Sequence, residues 1–110
     1  MIASNPKFAP PGESEATISR SASFDTGAAW ASLALQATML GWATRAMAGF
    51  DHDKARAATG APSDFRLEAI VAVGKRAPMS ALPEKFQAME TPNSRRPVSD
   101  FAFEGVFRPI

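Results

Sequence analysis

The longest hydrophobic pattern along the chain lies in residues 25–46 and predicts an α-helix. Trp30, Leu33, Ala37 and Leu40 recur at the spacing of one helical face. Further large apolar residues widen that face until little polar surface remains, namely Leu35, Met39 and Trp42. A helix that is apolar nearly all round has to be covered on more than one side. The rest of the chain offers few large apolar residues, so the pattern favours a partner subunit or a further segment as the cover.

Two other segments predict β-strands. LEAIVAV, from Leu67 to Val73, is a short apolar run closed by Gly74, which is typical of an interior strand covered on both faces. Near the C-terminus, SDFAFEGVFR alternates, with Phe101, Phe103 and Phe107 on one face and Glu104 and Arg108 on the other. Two strands do not make a stable sheet by themselves, so this segment needs a sheet to join.

Capping residues predict where the helices begin and end. Ser23 or Asp25 can accept a free backbone N–H at the start of the long helix. Asp51 can do the same for a short helix that runs to about Thr59 and is ended by Gly60. A third short helix is expected from Pro83 to about Met89, since proline suits a first helical turn.

The remaining segments read as turns and loops. Ala48-Gly49-Phe50-Asp51 is a turn, in which Gly49 permits backbone conformations that other residues resist. Pro92 to Pro97 is a basic loop. Three prolines and a glycine argue against regular structure in residues 1–22, which are interpreted as an extended lead-in. Residues 23–110 are interpreted as one partial domain.

The composition indicates an incomplete hydrophobic core. Apolar residues make up 45% of the 110 residues, but 22 of those 50 are alanine and only 28 are large. The net charge of +1, together with two Trp and eight Phe, argues against disorder. The chain is therefore expected to be ordered and to lack material for a full core of its own.

Charge and residue types exclude several functions. Twelve basic and eleven acidic residues give no electrostatic case for binding nucleic acid. The absence of cysteine and the single histidine, His52, exclude thiolate and multi-histidine metal sites. His52 itself is expected to be a surface or capping residue.

The uncharged stretch between Asp25 and Arg45 is too rich in alanine and polar residues for a membrane span. No signal peptide is apparent, so the expected location is the cytoplasm.

Residues 24–51, FDTGAAWASLALQATMLGWATRAMAGFD, resemble the central helix of the nitroreductase family of flavoproteins and the short turn after it that meets the flavin. The similarity covers about residues 18–107. It continues in order through Ala55, Arg56, Gly60, Pro62, Asp64 and Phe65, then Glu68 to Lys75, Leu82 to Glu84, and Arg95 to Phe107.

This resemblance implies an α+β fold, in which helices wrap a mixed central sheet and two chains form an intertwined homodimer. Members of the family hold two FMN molecules at the dimer interface. They pass hydride from NAD(P)H through the flavin to nitro groups, quinones or similar small-molecule acceptors. The resemblance therefore implies FMN as the cofactor and NAD(P)H as the donor. The homodimer would form through the 25–46 helix and a C-terminal arm that crosses to the other subunit from Ser99.

The site residues follow from the same resemblance. Ala48 and Gly49 match the turn whose backbone lies against the flavin, where an N–H group can stabilise charge on the reduced ring. Arg95 matches the basic residue that contacts the FMN phosphate, and Arg96 is a second candidate. The alternatives are an ordinary turn at Ala48-Gly49 and a solvated loop at the two arginines. Lys75 and Arg76 are expected to be exposed.

The chain is also expected to be only part of the family's fold. Members of the family are roughly twice as long, and the N-terminal half that grips the phosphate and supplies most of the sheet has no match here. The chain thus resembles a C-terminal half. Two functions stay open: an FMN-dependent oxidoreductase, or a non-catalytic fragment that self-associates through the central helix without flavin.

Overall fold

The computed structural model describes residues 1–106, which belong to two units that divide after Arg76. The elements of the first unit are, in chain order, β1 (Ile2–Ser4), β2 (Lys7–Phe8), β3 (Thr17–Ile18), α1 (Ala22–Met39), β4 (Ala43–Met47), α2 (His52–Thr59) and β5 (Arg66–Gly74). The second unit contains α3 (Glu84–Gln87) and three single 3₁₀ turns, Met79–Ala81, Ala88–Glu90 and Val98–Asp100.

An antiparallel sheet of order β1-β5-β4 forms the centre of the first unit. β4 runs against β5 from Ala43 opposite Gly74 to Met47 opposite Ile70. β1 lies along the other edge of β5. The predicted interior strand is therefore confirmed in place and extent. It is not covered on both faces, because only Leu67 in this strand is buried and Val73 is exposed.

The prediction that residues 1–22 lack regular structure is wrong. Ile2–Ser4 is the third strand of the sheet, and β2 pairs with β3 in a small hairpin. The prolines do not prevent this, because they lie outside the paired residues, and Gly12 takes the left-handed conformation (φ +90°) in the connecting loop. Lys7 reaches Asp64 at 3.0 Å, and its hydrogen bond lowers the pKa of the Asp64 carboxyl.

α1 ends seven residues earlier than the predicted 25–46 helix. Gly41 takes a left-handed conformation (φ +74°) just beyond the last turn. The N–H of Trp42 donates to the Ala37 carbonyl at 2.8 Å, and the N–H of Gly41 donates to the Thr38 carbonyl at 2.9 Å. These two bonds are the Schellman motif, which stops a helix at glycine. The chain then turns back, so that Ala43–Met47 pairs with β5 as a strand.

The predicted caps of the long helix are also wrong. Ser21 occupies the N-cap position, and no side chain there accepts a backbone N–H. Ser23 and Asp25 lie inside the first turn instead. The Ser21 hydroxyl donates to the Asp25 carboxylate at 2.8 Å, and the acidic side chain suits the positive end of the helix dipole.

Two opposite faces of α1 carry apolar residues. One face packs on β1 and β4 and holds the half-buried residues Ala22, Thr26, Trp30, Ala34 and Ala37. The opposite face, called the outer stripe below, holds Phe24, Ala28, Ala31, Leu35 and Met39. Its three large members are 79%, 68% and 81% exposed. In the described part of the chain Leu67 is the one buried hydrophobic residue, which confirms the incomplete core.

The predicted short helix after the Ala48–Asp51 turn is confirmed. Asp51 caps α2 by accepting the Lys54 N–H at 3.0 Å, and Gly60 ends it in a left-handed conformation. The Arg56 guanidinium then donates to the backbone carbonyls of the following loop, those of Ala61, Pro62 and Phe65. One arginine thereby fixes the path of the chain from α2 into β5.

The second unit confirms one prediction and corrects another. The helix predicted from Pro83 to Met89 is present as α3 followed by a 3₁₀ turn. The C-terminal strand is absent from residues 99–106: Val98–Asp100 is a 3₁₀ turn, and Gly105 takes a left-handed conformation. An alternating segment becomes a strand only beside another strand, and none pairs with it within residues 1–106. Phe107 and Arg108 lie outside the described residues.

Glu68 joins three elements of the first unit. Its Oε1 accepts the hydroxyls of Ser23 on α1 at 2.6 Å and of Ser4 on β1 at 2.7 Å. Its Oε2 lies 3.4 Å from Nε of Arg66 on the same strand. The Ser23 bond, then the Ser4 bond, hold the pKa of the Glu68 carboxyl below its ordinary value.

This lowered pKa predicts a pH-dependent stability. A carboxyl whose pKa is lower in the folded state stabilises the fold above its unfolded pKa of about 4.3, and loses that contribution as the pH falls through the folded value. As the pH is lowered below about 4.5, the urea concentration at the unfolding midpoint should therefore fall less for Glu68→Gln than for the parent chain. Glu68→Ala, which also removes the acceptor of both serines, should cost about 2 kcal/mol at neutral pH. If the urea midpoints of Glu68→Gln and the parent change with pH in the same way, the ionised Glu68 carboxylate does not stabilise the fold as assigned.

Candidate functional site at the turn after β4

The predicted flavin turn lies where β4 leaves the sheet. The last pair of the ladder is Met47 opposite Ile70, and Ala48 and Gly49 follow outside it. The Phe50 N–H donates back to the Ala48 carbonyl at 3.0 Å, and Asp51 then begins α2. The turn is thus held by a strand on one side and a capped helix on the other, while Ala48 and Gly49 themselves are exposed.

The reason predicted for Gly49 is wrong. Gly49 does not have a positive φ, so its backbone does not require glycine. A Cβ added at this position would meet nothing within 4 Å. The absence of a side chain instead leaves the backbone open to close approach by another group.

The backbone N–H groups of this turn are the donors that the resemblance places against the flavin. Among the loop hydrogen bonds of residues 1–106, none is donated by the N–H of Ala48 or Gly49. An exposed N–H beside a position without a side chain can approach the edge of a flat ring and donate to it. The flavin contact that the resemblance implies for this turn stays a prediction.

An aromatic pair borders the turn. The rings of Phe50 and His52 stack with their centroids 4.2 Å apart and their planes at 23°. Phe50 is half-buried, and His52 is exposed at the first residue of α2, as predicted for a surface histidine. Within residues 1–106, no three His, Asp or Glu side chains are grouped so that they could hold a metal ion.

Arg95 and Arg96 belong to the second unit and lie in a loop without regular structure, as predicted. The Arg95 guanidinium donates to the side-chain carbonyl of Asn93, a neutral partner. The Arg96 guanidinium lies 3.9 Å from the Asp100 carboxylate and also donates to the Asp100 backbone carbonyl at 3.4 Å. The charge of Arg96 is therefore partly compensated by an acid, whereas the side chain that Arg95 contacts within residues 1–106 is neutral.

Comparisons with known proteins show the family of the chain. The sequence model of the Nitroreductase family matches residues 9–75, a range that includes Ala48 and Gly49 and ends before Arg95. The chain belongs to the nitroreductase family. A solved structure, the crystal structure of an oxidoreductase containing FMN, aligns with 38% identity and a TM-score of 0.87 over 96% of this chain. The comparison with curated proteins finds no match.

This nitroreductase-family chain spans only about half of the FMN-containing oxidoreductase, 53% of its length. The partial coverage agrees with a sheet of only three strands in residues 1–106 and with the exposed residues of α1. Within residues 1–106, no helix combines the length and the apolarity needed to cross a bilayer.

The structure also reveals a feature of this family member that the sequence analysis missed. Lys75, at the end of β5, donates from Nζ to the Gly41 carbonyl at 2.6 Å. The same ammonium group lies 4.2 Å from the centre of the Trp42 ring. Lys75 is exposed as predicted, but it fastens the strand to the turn that follows α1. The stop signal at Gly41 is the sequence feature that would have placed Trp42 in a turn rather than on the helix.

Proposed function

We propose that this chain forms part of a cytoplasmic, homodimeric FMN-dependent oxidoreductase of nitroreductase type. In this proposal NAD(P)H is the hydride donor, and a nitro compound, a quinone or a similar small molecule is the acceptor. The observation that carries the proposal is the 38% identity and TM-score of 0.87 with an oxidoreductase containing FMN. That alignment spans almost the whole of this chain, which supports the proposal of the same cofactor.

The turn after β4 would orient the cofactor. Bound FMN would supply the redox chemistry, the transfer of hydride from donor to acceptor. The Ala48 and Gly49 N–H groups would donate to the edge of the ring system and stabilise negative charge there. The open space at Gly49 would let the ring approach the backbone, because glycine has no side chain in the way.

Arg95 would hold the phosphate of FMN. A guanidinium group matches phosphate because its planar fork can donate two parallel hydrogen bonds. Arg96 is proposed as a weaker second contact, since Asp100 competes with the phosphate for the same group. Asn93 offers Arg95 only a neutral amide oxygen, which a phosphate can displace.

A second copy of the chain is the proposed partner on the outer stripe of α1. Phe24, Ala28, Ala31 and Leu35 follow one another at intervals of four, three and four residues, the spacing of a seam between two helices. The two alanines at its centre allow close approach of two backbones. The segment from Ser99 onward is proposed as an arm that crosses to the other subunit.

Flavin binding tests the proposal directly. Purified protein should show the visible absorption of bound FMN, or acquire it after incubation with free FMN and gel filtration. Addition of NADH or NADPH without oxygen should bleach that absorption, and a quinone or nitroaromatic compound should restore it. A colourless oligomer that takes up no FMN would contradict the proposal. It would support the alternative, a non-catalytic fragment that self-associates through α1, which the half-length match to the FMN-containing oxidoreductase also allows.

A further inference from the structure

The stacked rings of Phe50 and His52, called the aromatic pair below, follow the turn after β4 directly along the chain. His52 is three residues beyond Gly49, so the two Cα atoms are at most about 11 Å apart. The ring centroids lie 4.2 Å apart, with 23° between the ring planes. A small molecule beside the turn is therefore a short distance from both rings.

Local contacts hold both members of the aromatic pair. The Phe50 N–H donates to the Ala48 carbonyl at 3.0 Å, and the Phe50 side chain is half-buried. His52 is the first residue of α2, and the Asp51 cap fixes where that helix begins. A ring that is already held in place loses little conformational entropy when a ligand binds to it.

The imidazole of His52 is the exposed member of the aromatic pair. Phe50 covers one of its faces, and the residue is otherwise exposed to solvent. Within residues 1–106, neither ring nitrogen has a hydrogen-bond partner. A neutral imidazole carries one N–H donor, so that donor remains for an oxygen atom of a ligand. The uncovered face can stack on a further aromatic ring.

We propose that the aromatic pair recognises the electron acceptor. In this arrangement the uncovered face of His52 stacks on a flat unsaturated ring, and the imidazole N–H donates to a nitro or quinone oxygen on that ring. The inference rests on the proposed function, because the acceptor has to lie beside the flavin to receive hydride. It narrows the acceptor to flat cyclic compounds that carry an oxygen at the ring edge, and it makes His52 a specificity-determining residue.

The charges around His52 favour the acceptor over the hydride donor as the ligand of the aromatic pair. Asp51 and Asp53 flank His52 in the sequence. Lys54 lies 3.5 Å from the Asp51 carboxylate, and Asp53 makes no ion pair within residues 1–106. Negative charge at this position opposes the phosphate groups of NAD(P)H, whereas it does not repel a neutral acceptor.

Proton NMR tests this inference, because His52 is the single histidine of the chain and its ring protons are identified without ambiguity. The probes are 4-nitrobenzyl alcohol, which has an aromatic ring and a nitro group, and nitroethane, which has the nitro group alone. In the FMN-loaded chain, 4-nitrobenzyl alcohol should shift the His52 signals upfield and reach saturation, because a stacked ring shields protons above its face. Nitroethane at the same concentration should leave the signals in place.

Two substitutions separate stacking from hydrogen bonding. His52→Phe keeps a ring and removes the N–H group, whereas His52→Ala removes both. Equilibrium dialysis of 4-nitrobenzyl alcohol against the FMN-loaded chain should show an affinity about 2- to 10-fold lower for His52→Phe and about 5- to 100-fold lower for His52→Ala. Asp53→Asn, a change at the next residue of the same helix, is the matched control and should leave the affinity unchanged. The FMN content should be the same in all of these variants.

Three results with the FMN-loaded chain would overturn the inference. The first is that 4-nitrobenzyl alcohol leaves the His52 signals unchanged, and the second is that nitroethane shifts them equally. The third is a larger shift with nicotinamide, which would assign the aromatic pair to the hydride donor. Failure to take up FMN contradicts the proposed function and is read separately, from visible absorption. The same titration of the flavin-free chain would then retain the aromatic pair as a ring-binding surface if the His52 signals shift, and reject it if they do not.

Discussion

Arg95→Ala should lower the affinity for FMN about 10- to 100-fold, because a hydrogen bond to a charged group contributes about 1.5–3 kcal/mol. Arg96→Ala should have a smaller effect, since Asp100 lies 3.9 Å from that guanidinium and already compensates part of its charge. Arg95→Lys should fall between the parent and the alanine variant, because lysine keeps the charge and loses the planar fork. The dissociation constants can be measured by titrating FMN and following the quenching of its fluorescence.

The comparison between the two arginines separates a specific contact from general attraction. Both variants remove one positive charge from the same loop, so a purely long-range effect would weaken FMN binding equally. Riboflavin, which lacks the phosphate, provides the second control, because its affinity should be the same for the parent and for Arg95→Ala. Equal losses for the two arginines, or an equal loss for riboflavin, would refute the phosphate assignment.

The elements that were predicted correctly have local signals. α2 is an example, because Asp51 accepts the Lys54 N–H and Gly60 reverses the backbone at the other end. Both capping contacts join residues a few positions apart, so the sequence alone specifies them. The loop from Pro92 to Pro97 and the turn at Ala48-Gly49 were also predicted as irregular segments, because their glycine and proline signals are local.

The errors occur where distant contacts decide the structure. ATRAM, residues 43–47, continues the apolar pattern of α1 and contains no residue that excludes a helix. It is a strand because it lies along β5, and the reversal at Gly41 makes that possible. Ile2–Ser4 is a strand for the same reason, since its partners are more than sixty positions away.

The candidate site was predictable only in part. The turn was found through its resemblance to a known family and its local pattern. The contact of Lys75 with Gly41 joins residues 34 positions apart, and no local spacing indicates it. The bonds from Ser4 and Ser23 to Glu68 are of the same kind, because three elements have to assemble before the carboxylate has its partners.

Leu35→Glu should weaken the proposed homodimer at least about 100-fold. Burial of a leucine side chain contributes about 1.5–3 kcal/mol, and a two-fold interface loses that contribution once from each copy. The glutamate also has to lose its hydration against the partner helix, which adds to the cost. Leu35 is 68% exposed in the single chain, so the change should leave the helix itself intact. Sedimentation equilibrium measures the dimer constant, and circular dichroism checks the helix.

Leu40→Glu is the matched control, because it makes the same change at an exposed leucine just after the last turn of α1, outside the outer stripe. It should leave the dimer constant unchanged. The reverse pattern, in which Leu40→Glu dissociates the dimer and Leu35→Glu does not, would refute the assignment of the outer stripe to a second copy. An apolar helix face requires a cover, and this paired comparison tests whether a second copy covers the outer stripe.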